Sequence, residues 1–342
     1  MNLERLYRKL PNFLKYNNFL LKKVLSLAKK IRKVNSNEMD FHYFLLNFLF
    51  TNYDIKPRGT LRKLQLLSLE LLKFADNVCN KYNLSLWLDS GTLLGAVRHS
   101  GFIPWDDDVD VGMLREDYDK FIEIFPKELE KYPILKDKIG LTKLIENEEN
   151  YFSGFKSVYD VGDKSNILSE EKFLFLQFAW LKPYVKIDFF PRDYLIEEKK
   201  ELLEKEYPVA KYKLSKETRN GNLNFDESFN SENKRLGITK DKTSLICDGL
   251  DYLEMTPLRI FDYDDIFPFK TMEFEDTFFK VPNKPESLLA KWYGSNFMSI
   301  PHYLDTHDLT KFIESQFDSK EEMDKAFEES LEILREINEN YQ

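Results

Sequence analysis

Apolar side chains recur at helical spacing at both ends of this chain, with short strand-like runs between them. Phe13, Leu20, Val24, Leu27 and Ile31 share one face of a helix predicted from about Asn12 to Arg32. Lys15, Lys22, Lys23, Lys29, Lys30 and Lys33 cluster mainly on its other side, so the helix is amphipathic and basic. Near the opposite end, Met323, Phe327, Leu331, Leu334 and Ile337 mark another apolar face, opened by Ser319 and Glu322 at capping-box spacing. That pattern predicts a helix that packs on the rest of the protein. A further helix is read over Leu61–Tyr82 and another over Glu116–Phe125. Strand candidates are Leu84–Leu88, Val109–Met113, Phe152–Tyr159 and Tyr184–Phe190. An apolar segment at Phe41–Phe50 precedes a linker around Pro57–Gly59. Charged helical sequence runs from Glu197 to about Arg219, and polar Asn220–Lys242 reads as a loop suited to acceptor specificity.

The chemistry concentrates between Gly91 and Asp110, which read GTLLGAVRHSGFIPWDDDVD. On a strand, residues i and i+2 share a face, so Asp108 and Asp110 can converge on one cation. Asp106 and Asp107 crowd the same stretch, beside the bulky run Phe102, Ile103, Pro104 and Trp105. Aligned carboxylates repel unless a cation lies between them, and a hard divalent ion takes oxygen ligands while keeping positions for water or phosphate. A solvated acidic turn carries the same residue types, so this run alone leaves both readings open. Just upstream, the strand candidate leads through Asp89, Ser90 and Gly91 into a helix beginning near Thr92. A strand, a glycine turn and a helix start aim backbone N–H groups and the positive dipole end at one point, where phosphate binds well. Gly91 would let a ligand approach, Thr92 offers a hydroxyl, and Arg98 can reach a phosphate bidentately. A plain structural turn is the competing reading of the same residues. Further on, VKIDFFP sets Asp188 inside an apolar strand, where a carboxylate is costly unless paired or bound to metal.

The run LDSGTLLGAVRHSGFIPWDDDVDVGMLREDYDKF, Leu88–Phe121, resembles the signature of the LicD family, which includes the fukutin-related transferases and belongs to the nucleotidyltransferase-fold superfamily. LRKLQLLSLELLKFADNVCNKYNL, upstream, is similar to the helix that precedes the motif. FPFKTMEFEDTFFKVPNKPESLLAKWYG, from Phe267, is similar to the family's closing element, with Tyr293 and Gly294 as its YG pair. The resemblance covers roughly residues 60 to 305. It implies an α+β fold: a nucleotidyltransferase-like mixed β-sheet core flanked by helices, with N-terminal and C-terminal helical extensions. The expected division is a basic amphipathic segment over 1–56, the catalytic domain over 57–310 and a packing helix over 311–342. The implied activity is metal-dependent transfer of a phosphorylated small alcohol, phosphocholine or a polyol or sugar phosphate, from a CDP-activated donor to a glycan hydroxyl, releasing CMP.

In that reading Asp108, Asp110 and Asp188 hold Mg²⁺ or Mn²⁺, with Asp188 filling the family's hDhhP position. Gly91, Thr92, Arg98 and Tyr293 face the donor, and Asp107 or Asp106 orients or deprotonates the acceptor. Ser295, Asn296 and Phe297 follow the YG pair where relatives often carry Asp and Trp. The zinc loop of the fukutin-related branch has no counterpart, and zinc is not expected. Two alternatives remain: a DxD-type glycosyltransferase using a nucleotide sugar, and a non-catalytic binding protein of the same fold. The first normally has a larger nucleotide-binding half before its motif, and the second is expected to have lost one of the three aspartates.

Charge sharpens the picture of partners. Residues 1–33 hold ten basic side chains and one acidic, whereas the chain as a whole carries a net charge of −9. An acidic body without a basic stripe argues against nucleic acid as a partner. The basic segment suits an anionic membrane surface bearing lipid-linked glycan, or packing on the acidic body itself. With 342 residues, 42% of them hydrophobic, the chain can bury a large core. Two distant cysteines, Cys79 and Cys247, suit a reducing compartment. No apolar run reaches the roughly 20 residues that span a bilayer, and the N-terminus lacks a signal-peptide layout. The expected location is cytoplasmic, peripheral to the inner face of the membrane.

Overall fold

The computed structural model describes residues 56–135, 138–143, 176–219, 225–251, 257–300 and 309–341. The predicted basic helix, the Phe41–Phe50 segment and the Phe152–Tyr159 strand lie outside them.

Helix α1 (Thr60–Lys81) leads into the short strand β1 (Leu86–Leu88), helix α2 (Ser90–His99), strand β2 (Val109–Leu114) and helix α3 (Arg115–Leu129). Strands β3 (Ile139–Lys143) and β4 (Leu176–Leu181) precede the long β5 (Tyr184–Leu195). Helices α4 (Lys200–Arg219) and α5 (Phe225–Leu236) follow, then β6 (Ile238–Thr239), β7 (Leu245–Asp248), β8 (Ile260–Asp262) and the short α6 (Tyr263–Ile266). A hairpin of β9 (Lys270–Phe274) and β10 (Thr277–Val281) is followed by α7 (Pro285–Tyr293), α8 (Leu309–Glu314) and α9 (Lys320–Glu339).

The result is an α+β architecture with a mixed sheet in the order β1-β2-β5-β4-β3. Among the described residues only β2 and β5 run parallel; β5 pairs antiparallel with β4 along its first half and with β6 and β7 along its second. The twelve residues of β5 therefore join two parts of the sheet. Its residues are buried almost throughout, and its charged side chains Lys186, Asp188, Arg192 and Asp193 are tolerated there because each has an ion-pair partner.

Helix α1 buries Leu64, Leu67, Leu71, Leu72 and Phe74 completely. Against it lies α9, whose Phe327 and Leu334 are also fully buried. Each such side chain contributes roughly 1.5–3 kcal/mol. Lys63 with Asp324 (2.7 Å) and Asn77 with Asn338 (3.3 Å) fasten the helices at both ends. The Ser319 hydroxyl accepts from the Glu322 N–H (3.1 Å), while the Glu322 carboxylate accepts from Asp318 N–H (3.1 Å), one residue before the N-cap.

One expectation is corrected. Within Asn220–Lys242, expected as a loop, Phe225–Leu236 is helix α5 and Ile238–Thr239 is β6; residues 220–224 lie outside the described residues. Few apolar residues anchor α5, chiefly buried Leu236 with Phe229 packed beside it, so tertiary contact stabilises a helix whose polar sequence shows little face. Strands β3, β4, β7, β8, β9 and β10 also lie beyond the sequence reading, because short strands carry little local periodicity.

The β9–β10 turn positions the acidic loop. Glu275 ion-pairs with Arg62 of α1 (2.7 Å), its N–H donates to the Ser100 carbonyl (2.8 Å), and its carboxylate accepts from Phe102 N–H (3.3 Å). Gln65 Nε2 donates to the carbonyls of Ile103 (3.2 Å) and Asp106 (2.9 Å). The loop then crosses α2 so closely that a Cβ at Gly95 would stand 2.4 Å from the Gly101 carbonyl oxygen.

Candidate active site

The site forms where β1, α2, β2 and β5 meet. Asp89 caps α2: its carboxylate accepts from Ser90 N–H (2.7 Å), and its own N–H donates to the Asp110 carbonyl (3.0 Å). Ser90 has a φ of 45°, a left-handed setting for a serine that costs roughly 1–3 kcal/mol. The surrounding network holds it there. Thr92 is buried, and its hydroxyl accepts from the Asp110 N–H (2.8 Å). Gly91 N–H donates to Asp110 Oδ2 (3.1 Å), and a Cβ at Gly91 would lie 3.0 Å from Asp106 Oδ2. Gly91 and Thr92 thus fix the carboxylates in place; their direct bonds go to Asp110.

Asp110 and Asp188 are register partners across the parallel β2–β5 pair. With Asp108, just outside β2, they place one carboxylate oxygen each within 4.8 Å of the others. Asp106, Asp107 and Asp108 make a second group at the same spacing. Burial, and after it the charges of Asp108, Asp188 and Asp106, push the Asp110 carboxyl well above the ordinary range, with Lys186 opposing. An anionic, all-oxygen donor set under mutual repulsion fits a hard divalent cation such as Mg²⁺ or Mn²⁺.

Lys186 lies two residues before Asp188, on the same face of β5, and its ammonium donates to Asp188 Oδ2. Burial works against its charge, but Asp188 and Asp108 outweigh it and raise its pKa. The lysine is part of VKIDFFP, and the alternation that singles out Asp188 also places Lys186 beside it.

Asp107 is 3% exposed and accepts from Leu309 N–H (2.8 Å), tying the acidic loop to the start of α8. Arg98 turns to the turn after α7: Nη1 donates to the carbonyls of Phe297 (2.9 Å) and Ser299 (3.3 Å), and Nε to His99 Nε2 (2.9 Å). Burial lowers its pKa to about 10 despite Tyr293 and Asp106 nearby. These bonds hold the turn that follows Tyr293 against α2. Tyr293 ends α7 and is partly exposed; desolvation of its phenol and the charges of Asp110 and Asp106 raise its pKa, with Arg259 opposing.

A second charged network backs Ser90. Arg192 bridges Asp89 (2.5 Å) and Asp248, both buried. Arg259 binds Asp248 (3.2 Å) and donates through Nη1 to Ser90 Oγ (2.9 Å). Burial alone would raise the Asp89 carboxyl, but the two guanidiniums hold it below the ordinary range. Arg259 is 169 positions from Ser90, and no local pattern joins them.

A parallel strand pair that presents facing carboxylates beside a glycine-containing helix start can hold a divalent cation against a phosphate. Residues 83–189 match the family model described as LicD/FKTN/FKRP, nucleotidyltransferase domain. That segment, which holds Gly91, Thr92, Asp108, Asp110 and Asp188, is therefore LicD-like, and β5 continues past it to Leu195. The lipopolysaccharide cholinephosphotransferase LicD of Haemophilus influenzae is 45% identical over 73 residues, 21% of this chain and 28% of that protein. Human ribitol 5-phosphate transferase FKRP is 44% identical over 48 residues, 14% of this chain and 10% of that protein. Human ribitol-5-phosphate transferase FKTN is 45% identical over 49 residues, 14% of this chain and 11% of that protein. The matched segment thus spans under a third of each relative's length.

Proposed function

We propose that this protein transfers a phosphorylated small alcohol, phosphocholine or a polyol phosphate, from a CDP-activated donor to a glycan hydroxyl, releasing CMP. The observation that carries this reading is the convergence of Asp108, Asp110 and Asp188 within the LicD-type segment. The names of the relatives, a cholinephosphotransferase and two ribitol-phosphate transferases, support the same class of transferred group.

Asp108, Asp110 and Asp188 would hold the Mg²⁺ or Mn²⁺. The bound ion supplies neutralisation of charge on the donor's diphosphate and on the departing phosphate. The remaining work falls to the chain itself. Gly91 N–H and the Thr92 hydroxyl keep Asp110 aimed into the site. Arg98 holds the Tyr293 segment as a wall of the donor pocket, and Arg259 with Ser90 adds positive charge and donors at the start of α2. Asp106 lies beside both Gly91 and the metal carboxylates, and is the residue assigned to orient the acceptor hydroxyl. Asp107, committed to the α8 start, supports that loop.

Among the described residues no helix is long and apolar enough to cross a membrane. The basic N-terminal sequence is assigned to contact with an anionic membrane surface, which would bring the enzyme to lipid-linked acceptors.

The test is CMP release by the full chain from CDP-choline, CDP-ribitol and CDP-glycerol, and UDP release from UDP-sugars in parallel, each with and without Mg²⁺ and with a glycan acceptor. Release from a CDP-alcohol that requires both metal and acceptor is expected. Turnover of UDP-sugars alone would move the protein to the glycosyltransferases.

A further inference from the structure

Most of the acidic site consists of groups of one charge, and among the described residues Lys186 sets an ammonium directly against it. Lys186 and Asp188 alternate along β5 and form an ion pair, with side chains 17% and 12% exposed. Asp188 faces Asp110 across the parallel register, and Asp108 completes the oxygen triad. The ammonium therefore binds a carboxylate that the proposed divalent cation needs. Both cannot share Asp188 without strong repulsion at short range. A lysine resolves this differently from an arginine. Its charge is a compact point on a flexible four-carbon stem, so it can leave Asp188 by side-chain rotation alone. The nearest new anion, once a cation occupies the triad, is the phosphate of a bound donor.

On the basis of the transfer reaction assigned above, we infer that Lys186 is a place-holding counter-ion: it neutralises Asp188 until the divalent cation binds, then turns to the donor phosphate. Metal and donor consequently favour each other's binding. The coupling is reciprocal, because the metal frees the ammonium for phosphate and phosphate compensates the ammonium for losing Asp188. This makes Lys186 a positioning residue for both ligands. It also accounts for a lysine in the middle of a buried strand, a placement that pairing with Asp188 makes tolerable but does not require.

Mn²⁺ affinity of the full chain, followed by electron paramagnetic resonance with and without CDP, tests the inference. For the wild type, CDP is expected to tighten Mn²⁺ on the order of tenfold, within the usual range of site-to-site coupling. Lys186→Met should bind Mn²⁺ more tightly than wild type without CDP, and CDP should then add less than it does in the wild type, leaving only the direct attraction of the diphosphate for the ion. Lys186→Gln, which removes the charge but keeps a polar donor, repeats the measurement if the Met variant does not fold. Unchanged or weaker Mn²⁺ binding in a folded variant, or an undiminished CDP effect, overturns the role of Lys186 while leaving the metal site standing. A wild type that binds no Mn²⁺ with or without CDP overturns the metal reading and this inference together.

Discussion

Replacing Asp110 with Asn should make the metal-free protein more stable. The Asp110 side chain lies where two further carboxylates come within 4.8 Å. At that separation two unit charges repel by roughly 3.5 kcal/mol at an effective dielectric of about 20. Lys186 offsets part of this, and Asn can still accept the Gly91 N–H bond that Asp110 accepts at 3.1 Å, so little is lost in return. The expected net gain is about 1–3 kcal/mol, or a few degrees in Tm for a chain of this size. The sign with pH follows from a raised carboxyl pKa. The penalty in the wild type is complete above the folded-state value and fades as the pH falls toward the unfolded value of 3.8, so the two proteins should converge there. Urea unfolding in EDTA at pH 8 and pH 4 measures the difference. Saturating Mn²⁺ should reverse it, because the wild type gains binding energy that the variant lacks. A variant less stable than wild type at pH 8 in EDTA would show that Asp110 is a satisfied structural carboxylate and would remove the electrostatic argument for a cation.

Glu128 should govern acid stability at the α1–α9 junction. Its buried carboxylate accepts bonds from Lys131 (2.6 Å), Tyr82 (2.6 Å), Lys81 (2.9 Å) and Tyr341 (3.0 Å), which outweigh the effect of burial and hold it down at about 2. That stability is present above the unfolded value of 4.5 and is lost as the pH falls toward 2, so Glu128→Gln should cost on the order of 2 kcal/mol at pH 7 and much less near pH 2. Equal urea midpoints at pH 7 would contradict it. For the N-terminal segment, the full chain should sediment with anionic vesicles at low salt, whereas a chain without residues 1–50 should not. Recovery of the full chain in the supernatant would assign the segment to packing or to a protein partner.

Local chemistry in the sequence was enough to single out Asp108, Asp110 and Asp188, because a carboxylate in an apolar strand or a crowded acidic run stands out against its neighbours. Helices α1, α3 and α9 were legible for a related reason: their apolar residues repeat within a few positions, and the pattern survives without the fold. The polar α5 was not legible, since its anchoring contacts lie on other elements. Nor does one dimension show what a side chain's hydrogen bonds are spent on. Arg98 and Thr92 have the right chemistry for phosphate, yet Arg98 holds the Phe297–Ser299 turn and Thr92 holds Asp110. Arg259 meets Ser90 only after the sheet has formed. Sequence alone determined which residues had to find a charge partner. The parallel register of β2 against β5, set by the burial of both strands rather than by any nearby residue, decided that Asp110 faces Asp188 across it.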